Sequence, residues 1–377
     1  MDNDLKRSTG WKYALPAIAL FLPSFVNAQP QEQYPPFDAM DVFELEWASD
    51  PQVSPDGQSI VYVRRSFEIM SDTGRADLWE VSVEGDHHRP LATTSGRSTS
   101  PRWSPDGSKL AFISRESGSS QIHVRWMDTQ QTSVISNLQQ SPSDLAWSPD
   151  GKWLAFTMEV KKKTQSIAKR RTPPEGARWA EAPVTVTTTR YQVDGRGIVD
   201  PAHRHVFVIP AEGGVARQLT DGDFNHSGRL AWTLDSKEIF FSADRSEDWE
   251  LRSDEADIYA VALANSRLRQ VSDSPGAERN PVMAPNGKTL AFNYEQRRPL
   301  AFTPNRIALL DLQTQGMTIL TDTLDGDANS ILWAEDSKSL YFLFDERGTR
   351  HIRNITRSKV VTTVADNVGG TTIRRAY

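Results

Sequence analysis

His203 and His205 stand two apart, so on a strand their rings would face the same way, as paired metal ligands can. The other reading is that they decorate the entry to a strand. His87, His88, His123, His226 and His351 have no acidic or cysteine companions in the sequence. Asp221-Gly222-Asp223-Phe224-Asn225 and Asp325-Gly326-Asp327-Ala328-Asn329 resemble the opening of a calcium loop. Such a loop needs Gly at its sixth position and Glu at its twelfth. His226 and Trp232 fill those places in the first segment, Ser330 and Asp336 in the second, so both read better as loops between strands. An α/β-hydrolase would need Gly-x-Ser-x-Gly at a strand-to-helix turn. Gly96-Arg97-Ser98 and Gly118-Ser119-Ser120 both lack the second Gly. No catalytic, cofactor-binding or metal-ligating residue is therefore expected, and no cofactor.

The residues that recur belong to a turn. Trp147-Ser148-Pro149-Asp150-Gly151-Lys152 repeats as Trp103-Ser104-Pro105-Asp106-Gly107-Ser108 and Val53-Ser54-Pro55-Asp56-Gly57-Gln58. Worn copies follow at Trp232-Thr233-Leu234-Asp235-Ser236-Lys237, Met283-Ala284-Pro285-Asn286-Gly287-Lys288 and Trp333-Ala334-Glu335-Asp336-Ser337-Lys338. Pro presets φ at the first corner, Asp or Asn takes the second, and Gly accepts the positive φ after it. The motif is a hairpin corner between antiparallel strands, and its decay without loss of pattern marks it as structural.

Each copy ends one strand and starts an apolar second one, such as Leu110-Ala111-Phe112 or Leu290-Ala291-Phe292. A third strand and a short polar-edged fourth come next. Four strands per unit with a polar outermost strand predict an all-β propeller blade. The turn residues at positions 56, 106, 150, 235, 286 and 336 are separated by 50, 44, 85, 51 and 50 residues. One blade takes ~40–50 residues, so the long interval is one blade plus an insertion at about 161–204. Six blades are recognisable. Thr371-Thr372-Ile373-Arg374-Arg375-Ala376-Tyr377 reads as the start of another inner strand, hence a possible seventh. The chain is expected to be part of a longer polypeptide.

Two charged stretches interrupt the array. Lys161-Lys162-Lys163 with Lys169-Arg170-Arg171 reads as a solvated arm in preference to an anion-binding patch. Ser246-Glu247-Asp248-Trp249-Glu250-Leu251 is an acidic loop in blade four; a carboxylate there would hold a substrate's amino terminus if it pointed at the ring axis. A solvated loop is the plainer reading.

The 377 residues include 38% hydrophobic and 24% charged ones, ample material for a core. A formal charge of −6 gives no support to a nucleic-acid partner. Lys6, Arg7 and Lys12, an apolar stretch from Tyr13 to Phe25, and Val26-Asn27-Ala28 read as an export signal, 1–28, cleaved after Ala28. Pro16 and Pro23 argue against an uncleaved anchor. A periplasmic or secreted protein is expected, with no membrane contact after cleavage. Residues 29–48 read as a linker and short helix, and 49–377 as the propeller.

Taken together, the Trp-Ser-Pro-Asp-Gly blades behind an export signal resemble the propeller of the prolyl oligopeptidase family of serine peptidases. The likeness is to its acylaminoacyl-peptidase and dipeptidyl-aminopeptidase-like branch. Thr189-Arg190-Tyr191-Gln192-Val193-Asp194-Gly195-Arg196-Gly197 and Arg217-Gln218-Leu219-Thr220-Asp221-Gly222-Asp223 carry the more specific part of it. The resemblance implies a propeller that restricts a C-terminal hydrolase domain to short peptides. That hydrolase domain is absent from this sequence, so no family catalytic residue maps onto it, and the chain is expected to be inactive alone. Asp248-Trp249-Glu250 is only a faint echo of the acidic pair by which dipeptidyl peptidases hold an amino terminus. The alternative is a stand-alone periplasmic propeller similar to the translocation protein TolB, acting by protein contact.

Overall fold

The computed structural model describes residues 36–92, 96–162, 171–180, 186–251, 255–297 and 303–369. The export signal, Lys163, Lys169, Arg170 and the expected seventh-blade strand at 371–377 lie outside them. The chain divides into two compact units, 1–42 and 43–377. Helical structure is limited to one 3-10 helix, Ala39–Glu44, among the described residues. Its start is a reciprocal cap: Met40 N–H donates to Asp38 Oδ1 at 2.9 Å, and Asp38 N–H to Asp41 Oδ2 at 2.7 Å.

Among the described residues twenty-four strands form six four-stranded antiparallel sheets, and two short ones form a separate hairpin. Blade one is β1–β4: Trp47–Val53, Ser59–Glu68, Thr73–Ser82 and Arg89–Ala92. Blade two is β5–β8: Ser98–Trp103, Lys109–Ser114, Gln121–Trp126 and Thr132–Val134. Blade three joins β9 (Pro142–Trp147) and β10 (Trp153–Lys161) to β13 (Ala202–Pro210) and β14 (Arg217–Gln218). Between them lies the hairpin β11 (Gln192–Val193) and β12 (Gly197–Ile198). Blade four is β15–β18: His226–Trp232, Glu238–Ala243, Asp257–Ala262 and Leu268–Gln270. Blade five is β19–β22: Gly276–Met283, Thr289–Gln296, Arg306–Asp311 and Met317–Ile319. Blade six is β23–β26: Asp327–Trp333, Ser339–Glu346, Thr349–Thr356 and Val361–Ala365. The insertion is shorter than its sequence limits suggest. β10 and β13 stay paired out to Lys161 opposite Ala202, which leaves 162–201. Trp47 likewise already belongs to the first strand.

The turn motif works as a small hydrogen-bonded machine. Ser148 Oγ donates to Asp150 Oδ1 (2.6 Å) and accepts from Trp153 N–H (3.0 Å), while Asp150 Oδ1 also accepts from Lys152 N–H (3.1 Å). Ser54 and Ser104 repeat this with Asp56 and Asp106. At Asp106 those bonds hold the carboxyl down at about 2. Gly57, Gly107, Gly151 and Gly287 take φ between +67° and +73°. The worn copies are not idle: Ser236 and Ser337 adopt φ of 59° in the Gly place, and their hydroxyls accept from Asp150 N–H and Asn286 N–H of the preceding turn (3.1 Å each).

The aromatic residue before the turn ties blade to blade. The indole N–H groups of Trp103, Trp147, Trp232 and Trp333 donate to the inner-strand carbonyls of Gln52, Arg102, Ala146 and Val282, at 2.9–3.2 Å. Each acceptor lies on the blade before. Five apolar cores obey the same rule, one between each pair of consecutive blades. The second strand turns its large residues backward, as Leu154 and Phe156 do, and one central residue forward, as Ala155 does. Among the described residues no sixth core joins blade six to blade one.

Trp147→Phe keeps most of the burial but removes the bond to Arg102 O, so it should lower unfolding stability by about 1 kcal/mol. Ser148→Ala should cost a similar amount, because Ala284 and Ala334 stand at that place in working turns. Urea midpoints at constant slope check both.

Candidate functional site

Inner strands face the axis of the propeller, and each one carries a bulge that the sequence reading missed. Register shifts fall at Asp50, Ser100, Asp144, Gly228, Asn280 and Ser330, all with φ between 49° and 82°. The signal is a Gly or small polar residue three or four places before the turn's first residue. Such residues tolerate the left-handed region, and the bulge re-aims the next side chains along the strand. Asp50 accepts two bonds from Arg102 Nη1 (3.0 and 2.9 Å), linking blades one and two. Arg229, next to the bulge at Gly228, donates from blade four to Ile331 O of blade six at 3.1 Å. Arg229 keeps solvent access, yet the protein packed round it and then Arg102 lower its pKa from the ordinary arginine value, Asp50 opposing them.

A second polar constellation lies where the blade-three insertion meets the loops of blade four. His203 and His205 do share one face of β13, and both are buried. They are not paired as ligands. The His205 ring lies 5.0 Å from that of His226, while His203 packs edge-on to Trp249 at 5.8 Å. His226 donates from Nδ1 to Arg204 O (3.0 Å) and accepts at Nε2 from Arg245 Nη1 (2.6 Å), which fixes a neutral ring. Burial, then the neighbouring imidazoles and Arg245, push His226 down to about 3 and His205 to about 4. Among the described residues no three His, Cys, Asp or Glu side chains are grouped as a metal site would require.

The two Asp-Gly-Asp segments are blade-to-blade loops. Asp223 pairs with Lys162 and lies 3.8 Å from His203 Nε2, Asn225 Oδ1 accepts from Arg204 N–H, and Asp327 Oδ1 from Asn305 N–H. The basic run is thus partly engaged: Lys161 pairs with Asp200 at 3.1 Å and Lys162 with Asp223. The acidic loop turns toward the insertion. Glu250 Oε2 accepts from Thr189 N–H and Oγ1 (3.3 and 3.1 Å), and the Arg190 guanidinium lies 5.6 Å from the Trp249 ring centre. These contacts make the loop an anchor for the inserted arm. The remaining histidines are scattered: His88 on Tyr62, His123 stacked on Phe112, His351 on Asp366.

Carboxyls that sequence reasoning passed over sit between blades four and five. Glu278 is fully buried, accepts from Ser272 Oγ, and has its pKa raised by burial. Asp257, half-buried and bonded to Gln270 Nε2 at 2.9 Å, is pushed up to about 7 by burial and then by Glu278 and Asp273. The two junctions therefore respond to pH with opposite sign. The histidines have folded pKa values below their usual 6.5, so their contribution is full above that pH and is lost as pH falls through about 4 and 3. Asp257 titrates above its usual 3.8, so its contribution is full in acid and is lost as pH rises toward about 7. Asp257→Asn keeps the Gln270 bond and removes the charge. It should stabilise the protein by about 2 kcal/mol at pH 8, after discounting for the half of the group that solvent screens, and by less at pH 5. Urea unfolding at the two pH values checks this.

Comparison with known proteins agrees with this architecture. The family model described as "TolB beta propeller domain" matches residues 43–180, and "Dipeptidyl peptidase IV (DPP IV) N-terminal region" matches residues 177–299. The uncharacterized peptidase YuxL of Bacillus subtilis is 26% identical over 83% of this chain and 49% of its own length. Dipeptidyl-peptidase 5 of Porphyromonas gingivalis is 24% identical over 83% of this chain and 46% of its own. The acylaminoacyl peptidase of Pyrococcus horikoshii shares the fold, with a TM-score of 0.65 at 15% identity, over 86% of this chain and 46% of that one. The chain thus spans about half the length of the curated relatives it matches. With six four-stranded blades, a dipeptidyl-peptidase match from within the insertion through blade four, and peptidases among its relatives, this chain is similar to the propeller portion of prolyl oligopeptidase-family peptidases.

Proposed function

We propose that this chain is the substrate-gating propeller of an exported serine peptidase that cleaves short peptides. The match of residues 177–299 to the dipeptidyl peptidase IV N-terminal region carries this reading, since it takes in Thr189 and Arg190 of the insertion and the Glu250 loop that holds them. The rest of the support is chemical. The sequence has no Gly-x-Ser-x-Gly, and the buried His226 is held neutral by its bonds to Arg204 O and Arg245, so a serine nucleophile and its base would come from elsewhere. Arg229 reaching Ile331 O of blade six and the salt bridge of Asp50 with Arg102 put charged side chains on the inner strands, where a small peptide entering the propeller would meet them. Residues 1–28 would direct export and be removed after Ala28.

Purified residues 29–377 should not hydrolyse aminoacyl or acyl-aminoacyl chromogenic peptides; turnover blocked by a serine-directed inhibitor would overturn the reading. The mature protein isolated from its host should begin at Gln29, as N-terminal sequencing will show. A second reading, a binding propeller of the TolB kind, is favoured by the match over residues 43–180. It predicts that the purified chain captures a stable envelope protein in a pull-down, which the gating reading does not require.

A further inference from the structure

Six copies of one unit allow each place to be compared across the blades. The second strands begin with Ser59, Lys109, Trp153, Glu238, Thr289 and Ser339, five polar residues and one indole. The residue after each third strand is fixed by its N–H, which donates to the carbonyl just before the second strand of the same blade. The pairs are Val83 with Gln58, Met127 with Ser108, Ala211 with Lys152, Leu263 with Lys237, Leu312 with Lys288 and Arg357 with Lys338. Across a junction these two places meet. Between blades two and three, Lys109 pairs with Glu212, the residue after Ala211. Between blades five and six, Arg357 Nη2 donates to Thr289 Oγ1 at 2.9 Å. Between blades three and four the same places hold Trp153, Leu263 and Ala264, an indole and two aliphatic groups, so no polar link can form between them.

A cavity of about 600 Å³ lies there, against about 350 Å³ at the junction that Lys109 and Glu212 bridge. Small-molecule sites run from ~300 to ~1,000 Å³. Trp153, Ala262, Leu263 and Ala264 line it on the apolar side. Its charged side chains are paired, with one exception. Lys237 pairs with Asp235 at 3.0 Å, and Glu238 with Arg269 at 2.6 Å. Arg217 bonds to the backbone carbonyl of Leu263 and, among the described residues, to no carboxylate.

The other blades say what that guanidinium suits. Arg89, Arg217 and Arg269 hold one place on the fourth strand, opposite Glu80, Val208 and Ala260 of the third. Arg89 grips Glu80 through Nε and Nη2 (3.2 and 2.9 Å), and Arg269 grips Glu238 in the same way (3.2 and 2.6 Å). Glu238 begins the second strand of blade four, and the residue at that place in blade three is Trp153. Tryptophan in place of glutamate leaves Arg217 without the carboxylate that Arg269 has and puts an indole into the same cavity. We propose that this cavity binds an aromatic carboxylate, the ring against Trp153 and Leu263 and the carboxylate on the Arg217 guanidinium. Ring packing on the indole and a two-bond guanidinium–carboxylate contact then act on one ligand. A free aryl acid and the C-terminal end of a peptide that finishes in an aromatic residue both carry this chemistry. The site stands on the turn side and does not rest on the peptidase reading.

Calorimetric titration of the purified chain tests this with three probes. N-acetyl-phenylalanine has ring and carboxylate, N-acetyl-phenylalaninamide the ring alone, and acetate the carboxylate alone. The first should bind about tenfold more tightly than either of the others, the difference that a charge-assisted bond makes. Arg217→Gln should bring the acid down to the level of the amide, while Arg89→Gln, at the same place in blade one, should change nothing. Trp153→Glu gives Arg217 the partner that Arg269 has and should abolish binding. Circular dichroism shows whether that variant folds; Arg217→Gln, at an exposed position, decides the matter if it does not. Equal affinity for acid and amide overturns the inference. So does a preference for the acid that survives Arg217→Gln, or no binding of the acid at millimolar concentration. A tetrapeptide ending in phenylalanine separates the two sources: affinity like that of N-acetyl-phenylalanine assigns the site to chain ends, and loss of binding assigns it to free aryl acids. No turnover is measured, so the outcome is separate from that of the peptidase reading.

Discussion

Everything in this fold depends on one packing relation: the large backward side chains of a blade against the forward face of the blade before it, centred on alanine in blades two, three and five and on Phe240 in blade four. A four-stranded sheet of this size has two faces to hide and cannot hide either alone. Stacking the blades round an axis buries Leu154 and Phe156 on Ala111 and Ile113, and Ile239 and Phe241 on Ala155. The tryptophan indoles reinforce the same relation from the inside, each bonded to a carbonyl of the preceding inner strand.

Polar groups are distributed by the same geometry. The turn side is occupied by Ser–Asp corners whose carboxylates accept local hydrogen bonds at Oδ1. The opposite loops are where the blades differ. Here the insertion is moored by Thr189 to Glu250 and by Lys162 to Asp223, and three histidines lie beside it with two arginines. One junction further on, Glu278 and Asp257 are held toward their neutral forms. Neighbouring junctions therefore pull stability in opposite directions as pH changes. The pair makes the middle of the array its pH-responsive part.

How legible this was from residues differs between fold and site. The turns and the apolar triplets announced six blades, and the second strands begin where the Pro-Asp-Gly rule places them. The worn copies look weakened as sequence, yet Ser236 and Ser337 bond to the turn before them, a contact invisible in one dimension. The acidic loop at Asp248-Trp249-Glu250 has the composition of an amine-binding site. In the folded chain Glu250 is spent on Thr189, 61 residues away in sequence. The buried carboxyls gave no signal at all, because burial of Glu278 depends on the loop from another blade that folds over it.

By itself, then, the sequence determined the repeating unit: the period, the corner chemistry, the alternation of large and small residues, and the place of the insertion. These are local properties, set by φ preferences and by which side of a strand a residue occupies. Only the tertiary structure decided which polar groups are free and which are engaged, where a half-buried aspartate titrates, and how the inner strands bulge at the axis. Those depend on distances between residues far apart in the chain, and a linear pattern carries no distances.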